Sequence, residues 1–142
     1  MQHHPVAADV AAAIAHRDPG QLAPALTETV RLRALLPGGL VEAHGRVDVA
    51  ACLPSLFADF DTVEVLESAG EDVADRLLIH YRFGVSQGRT RWVCTQTAVC
   101  KVLGERLAVI DLLCSGFREV HDHDHDHDHD HDHTPPVARL LG

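Results

Sequence analysis

The sequence predicts an α+β domain in which helices from the first half pack against a sheet built largely from an antiparallel meander in the second. Three observations carry this. From Asp75 to Phe117 three long runs alternate with period two, as Leu77, Ile79, Tyr81, Phe83 and Val85 do, and the turn residues SQGRT and LGER separate them. Between Pro5 and Ala58, two stretches instead place apolar residues at helical spacing. Pro and Gly clusters mark the junctions.

Taken in order, Pro5 to Arg17 reads as a helix with Val6, Val10, Ala13 and Ile14 on one face, stopped by Asp18-Pro19-Gly20. A second short helix is expected around Gln21 to Leu26. Thr27 to Leu36 sets Val30, Leu32 and Ala34 against Thr29, Arg31 and Arg33, a strand ended by Pro37-Gly38-Gly39, and a brief extended piece follows from Leu40 to His44. Arg46 to Ala58 is a third helix burying Val49, Cys52, Leu53, Leu56 and Phe57, with Pro54 expected to split it in two. Phe60 to Ser68 is another strand, and the polar AGEDVAD segment is expected to turn the chain into the meander.

Both faces of the meander look apolar. In Arg91 to Val102 one parity reads Trp92, Cys94, Gln96, Ala98, Cys100 and the other Val93, Thr95, Thr97, Val99. An antiparallel sheet with one wet face alternates more cleanly. The expectation is therefore a sheet covered on one side by the helices and on the other by a second copy, a homodimer.

The chain has 142 residues, 46% of them hydrophobic, enough for one domain with a real core. Its formal charge of −9 is concentrated at one end: residues 121–133 hold six Asp and seven His with no Lys or Arg, so 15 acidic side chains face 12 basic ones elsewhere. The basic residues are scattered, which argues against nucleic-acid binding. No apolar run reaches the length of a membrane span, and Asp9 and His16 interrupt the N-terminal apolar stretch, so a cytoplasmic protein without membrane contact is expected. Cys52, Cys94, Cys100 and Cys114 fit no zinc-site spacing. Cys94 and Cys100 on one strand stand about 20 Å apart at about 3.3 Å per residue, beyond bridging distance. They read as small buried hydrophobes.

Several short patterns carry a family resemblance: Arg17-Asp18 closing the first helix, Val30-Arg31-Leu32-Arg33 in the first strand, Glu42-Ala43-His44-Gly45-Arg46 leading to Val49, and the closing GERLAVIDLLCSGFRE. Together with the element order they resemble the SnoaL-like branch of the nuclear transport factor 2-like superfamily over residues 6–118. The resemblance implies a cone, a curved mixed and largely antiparallel sheet wrapped around three N-terminal helices with an apolar pocket between them. It also implies dimerisation through the outer face of the sheet in many members. Enzymes of that superfamily resemble one another in placing a carboxylate or imidazole in a dry pocket. This chain lacks a complete Tyr plus two-Asp isomerase set and an Asp-Arg-Asp hydrolase set. The domain is expected over residues 1–120, followed by a low-complexity tail over 121–142.

Asp111, alone among the apolar residues of LAVIDLLCSGF, is a candidate pocket acid or base, with a salt bridge to Arg82 or Arg91 as the structural alternative. His80 is the second catalytic candidate, or a structural histidine. Tyr81, Arg82, Trp92, Gln96 and Ser115 are candidate pocket-binding residues, with Tyr81, Gln96 and Ser115 offering hydrogen bonds to a carbonyl. The folded domain is expected to need no cofactor. The ligand expected is a small apolar or carbonyl-bearing molecule, and a lyase, cyclase or isomerase reaction is the enzymatic form of this reading.

The tail alternates strictly, and His121, His123, His125, His127, His129, His131 and His133 fall on one side of an extended chain, about 6.6 Å apart. Such a tract does not build a core. Its imidazoles suit Zn²⁺, Ni²⁺ or Cu²⁺, and neighbouring Asp residues add ligands. A metal buffer on a dimeric scaffold, a tolerated codon-repeat expansion and a pH-dependent charge brush are three readings of it.

Overall fold

The computed structural model describes residues 3–121. Helix α1 spans Pro5–Ala15, α2 spans Pro19–Leu22 and a 3-10 turn follows at Ala23–Ala25. Strands β1 (Leu26–Leu36) and β2 (Gly39–His44) precede α3 (Arg46–Ser55), and β3 (Thr62–Val73), β4 (Arg76–Gln87), β5 (Thr90–Leu103) and β6 (Arg106–Val120) complete the domain. The six strands form one sheet in the order β2-β1-β6-β5-β4-β3. Every neighbouring pair is antiparallel except β1 with β6, so the sheet is mixed. This is the α+β cone, with helices on the inner face of a curved sheet.

Each helix start has a local cause. Pro5 opens α1, where its missing N–H removes no intrahelical bond, and His4 Nδ1 accepts from Val6 N at 3.2 Å. Asp18 caps α2 by accepting from Gly20 N and Gln21 N, so Pro19-Gly20 opens a helix as well as ending the previous segment. The second helix is thus earlier and shorter than the apolar spacing suggested. The alanines of α1 let it lie close on the sheet: Ala7, Ala11, Ala13 and Ile14 are fully buried, and a Cβ added to Gly70 of β3 would stand 2.7 Å from His4 Cβ.

Two expected breaks are absent. Helix α3 is one piece rather than two, because Pro54 lies in its last turn, where the chain ends the helix anyway. Strand β3 runs through the AGED segment to Val73, and the turn is confined to Ala74-Asp75, with Ala74 at φ 55. As an edge strand, β3 holds Glu71 and Asp72 in solvent without cost, so its polarity does not end it.

Arg17 and Arg46 tie the helices to the sheet. Arg17 Nη1 donates to the carbonyls of Phe57 and Phe60, and Arg46 Nε donates to Leu26 O at 3.0 Å. These two arginines, both within the resembling patterns, thus satisfy carbonyls near element ends.

One sheet face is buried throughout. Leu77, Ile79, Tyr81, Phe83 and Val85 of β4, Trp92, Cys94, Gln96, Ala98 and Cys100 of β5, and Leu107, Ile110, Leu112 and Cys114 of β6 all face the helices. The other face carries Leu35, Leu66, Val99 and Leu113, exposed by 52, 47, 44 and 57% respectively. It is apolar in part, as the sequence suggested, with Thr95, Thr97, Arg82 and Asp111 interleaved.

Candidate functional site

The inner face is laid out in rows across the strands. Leu77, Cys100, Ile110 and Leu32 form one row, Ile79, Ala98, Leu112 and Ala34 the next, then Tyr81, Gln96 and Cys114, then Phe83, Cys94 and Phe117. Phe57, just past α3, closes the far end: its ring meets Phe83 edge-on at 5.0 Å and Phe117 at 5.9 Å. Trp92 meets Phe60 at a tilt of 60° with ring centroids 5.5 Å apart, and its indole Nε1 has no hydrogen-bond partner among the described residues.

Gln96 is the one buried polar or charged residue among those described, at 1% exposure. Its Nε2 donates to Cys114 Sγ at 3.4 Å, while its Oε1 has no hydrogen-bond partner among the described residues. A buried amide oxygen left in this state costs about 1–3 kcal/mol. Tyr81, also 1% exposed, sits directly across from Gln96 on β4. Burial pushes its hydroxyl well above the usual phenol range, with the surrounding Cys100, Cys94 and Cys114 thiols adding to the effect, so it is a hydrogen-bond donor at any physiological pH.

Three cysteines share this face, and all are free. Cys94 Sγ lies 3.6 Å from Cys114 Sγ, and Gly116 N joins Gln96 Nε2 as a second N–H donor to Cys114, at 3.4 Å. The hydrogen bond between the two sulfurs, with burial, pushes the Cys94 thiol up, and the same bond, with those from Gln96 and Gly116 and against burial, lowers Cys114 to about 6. The two sulfurs are coupled through their contact and titrate as a pair. Burial raises Cys100 to about 12, with the Asp111 carboxylate contributing.

At one end of the cone an open groove of about 640 Å³ is lined by His4, Val6, Asp9, Gln21, Pro24, Asp72, Leu77, Val102 and Glu105. Leu77 joins it to the inner face, since it stands across from Cys100 at the start of the rows leading to Tyr81.

Of the residues singled out in the sequence, Tyr81, Trp92 and Gln96 are brought together on the inner face. His80, Arg82, Asp111 and Ser115 stand on the outer face. His80 Nδ1 lies 3.2 Å from Thr97 Oγ1 and its Nε2 3.5 Å from Glu67 Oε2. Asp111 is exposed between Val99 and Arg33, so it meets no desolvation penalty, and among the described residues it forms no salt bridge to Arg82 or Arg91. Ser115 Oγ accepts from Thr95 N at 3.0 Å and donates to Gly116 O, which pins a bulge. Of the tail histidines only His121 is described, and it is exposed; His123 to His133 lie outside the described residues. Sequence reading missed the approach of Cys94 to Cys114. Among the described residues no group of three or more His, Cys, Asp or Glu is arranged to hold a metal, and no helix is long and apolar enough to cross a membrane.

No protein-family model matches the sequence, and no curated protein matches it. Solved structures do. A nuclear transport factor 2-like protein from Burkholderia thailandensis superposes with a TM-score of 0.61 at 15% identity, covering 78% of this chain and 88% of that one. A second, of unknown function, from Burkholderia pseudomallei gives 0.60 at 16% identity, covering 76% and 86%. A hypothetical protein of ketosteroid isomerase-like fold from Catenulispora acidiphila, in complex with trimethylamine, gives 0.60 at 14%, covering 75% and 82%. The chain therefore has the nuclear transport factor 2-like fold. At these identities the likeness defines the fold class and leaves the chemistry to the residues.

Proposed function

We propose that this domain binds a small, largely apolar molecule over the Tyr81–Gln96 row, between the inner sheet face and the helices. The observation that carries this reading is the unpartnered Oε1 of a Gln96 that is 1% exposed. A buried acceptor beside a buried phenol donor fits a ligand bearing a carbonyl for Tyr81 and a hydroxyl or amide hydrogen for Gln96, such as a hydroxyketone or a lactam. The groove beside Leu77 is the route in. The Catenulispora structure, with its small organic amine, shows a small molecule in complex with a protein of this fold.

Binding without turnover is the form the geometry favours, because the imidazole of His80 and the carboxylate of Asp111 stand on the opposite face from the Tyr81–Gln96 row. The lyase, cyclase or isomerase reading would need another group. Leu35, Leu66, Val99 and Leu113 support a second copy packing on the outer face. Four free cysteines support a reducing, cytoplasmic setting. The His-Asp alternation supports a metal-buffering extension on that dimeric scaffold as a separate role.

Thermal-shift screening of small hydroxyketones and lactams tests the binding site. Compounds that raise the melting temperature of the native chain are expected to lose the effect in Tyr81→Phe and Gln96→Leu. Equal shifts in all three proteins would refute the assignment.

A further inference from the structure

The Cys94–Cys114 approach is not used by the binding reading above and stands on its own geometry. Their sulfurs lie 3.6 Å apart, against about 2.05 Å in a disulfide. Closing that gap needs a movement of about 1.5 Å at a bulge. The register of β5 with β6 shifts between Cys94 and Gln96, and Gly116 there has φ 83, so the backbone is already out of ladder geometry. Two N–H donors, Gln96 Nε2 and Gly116 N, converge on Cys114 Sγ beside the Cys94 sulfur, whereas hydrogen bonds of this kind are not needed by a cysteine that only fills space. Cys114 keeps 8% of its surface accessible and Cys94 keeps none, which orders the two sulfurs.

We propose that Cys94 and Cys114 form a hydroperoxide-reactive dithiol, with Cys114 the attacking sulfur and Cys94 the resolving one. The Cys114 thiolate attacks the outer peroxide oxygen. The O–O bond breaks, and the leaving alkoxide or hydroxide takes a proton to become an alcohol or water. Cys114 is then a sulfenic acid. Cys94 attacks that sulfur, the S–S bond forms, and hydroxide leaves as water with the Cys94 proton. Two electrons pass from the thiols to the peroxide, and the product is one disulfide across β5 and β6. The hydrogen-bonded, lowered thiol of Cys114 is consistent with its role as the nucleophile.

The test uses the reduced full-length chain and hydrogen peroxide, followed by denaturation, alkylation and peptide mapping. Cys52 is the internal control, because it is more exposed than either inner cysteine and its thiol is raised by burial. The expected product is a Cys94–Cys114 disulfide with a mass loss of two hydrogens, formed at least about tenfold faster than oxidation of Cys52. Cys94→Ser is expected to stop at a Cys114 sulfenic acid trapped by dimedone, and Cys114→Ser to leave Cys94 reduced. Should either variant fail to fold, the wild-type map still decides. Oxidation at Cys52 first, or Cys94 and Cys114 both still alkylated after peroxide, would overturn the proposal.

Discussion

Tyr81 and Gln96 face each other across β4 and β5, each 1% exposed, and their side chains are the chief non-thiol hydrogen-bonding groups in the middle of the inner sheet face. Leucine in place of Gln96 would remove an unsatisfied amide oxygen at the expense of one weak bond to sulfur. Without ligand, Gln96→Leu is expected to be more stable than the native chain by about 1 kcal/mol, read from urea unfolding. A loss of similar size would mean that the amide oxygen is satisfied.

Gly70 gives α1 its seat. Gly70→Ala brings a methyl to 2.7 Å from His4 Cβ and 3.4 Å from Ala7 Cβ, and about 1–3 kcal/mol of stability is expected to be lost. Adding His4→Gly should restore much of it, since the closest atoms belong to that side chain. Additive losses in the double variant would place the clash elsewhere.

Arg17 holds the segment after α3 through the carbonyls of Phe57, Phe60 and Asp61. Arg17→Ala leaves these carbonyls without that donor and is expected to cost about 2 kcal/mol. Amide exchange at residues 57–61 should quicken selectively. Unchanged protection there would separate Arg17 from the loop.

Stability should also carry a pH signature from Cys114. Its folded value, lowered from 9.0 to about 6, contributes stability that is fully present above the unfolded value and is lost as pH falls through the folded one. The stability of the native chain relative to Cys114→Ser is therefore expected to rise between pH 6 and 9, by at most about 1.4 kcal/mol per pH unit. Cys94 and Cys100, both raised from 9.0, keep their protons in the folded and the unfolded chain alike below that value and add little slope in this window. A flat difference would show that Cys114 stays protonated.

Much of the fold was legible because the alternation of β4, β5 and β6 and the alanine face of α1 are strong local patterns. The face of β6 was not. Counting back from the Leu103–Arg106 pair at the turn, a regular ladder would put Asp111 opposite Ala98, on the buried face. A register shift between Lys101 and Val102 instead pairs Asp111 with Val99, and the carboxylate points outward. One extra residue thus exchanged the inner and outer sets, bringing Cys114 in and sending Asp111 and Ser115 out. The direction of β4 was equally hidden, since His80 and Arg82 share a parity that either face would accept. Tyr81, Trp92 and Gln96 were singled out by residue type and lie on the inner face, while the meeting of Cys94 with Cys114 depends on a bulge at Gly116 that apolar spacing does not reveal.

Native mass spectrometry of the chain isolated from its own host, compared with Gln96→Leu prepared in the same way, tests the proposed pocket most directly. A small organic mass carried by the native protein, released on denaturation and missing from the variant, is the expected result. Native and variant proteins that both fly at the bare polypeptide mass, or that both retain the same molecule, would contradict a ligand held at Tyr81 and Gln96.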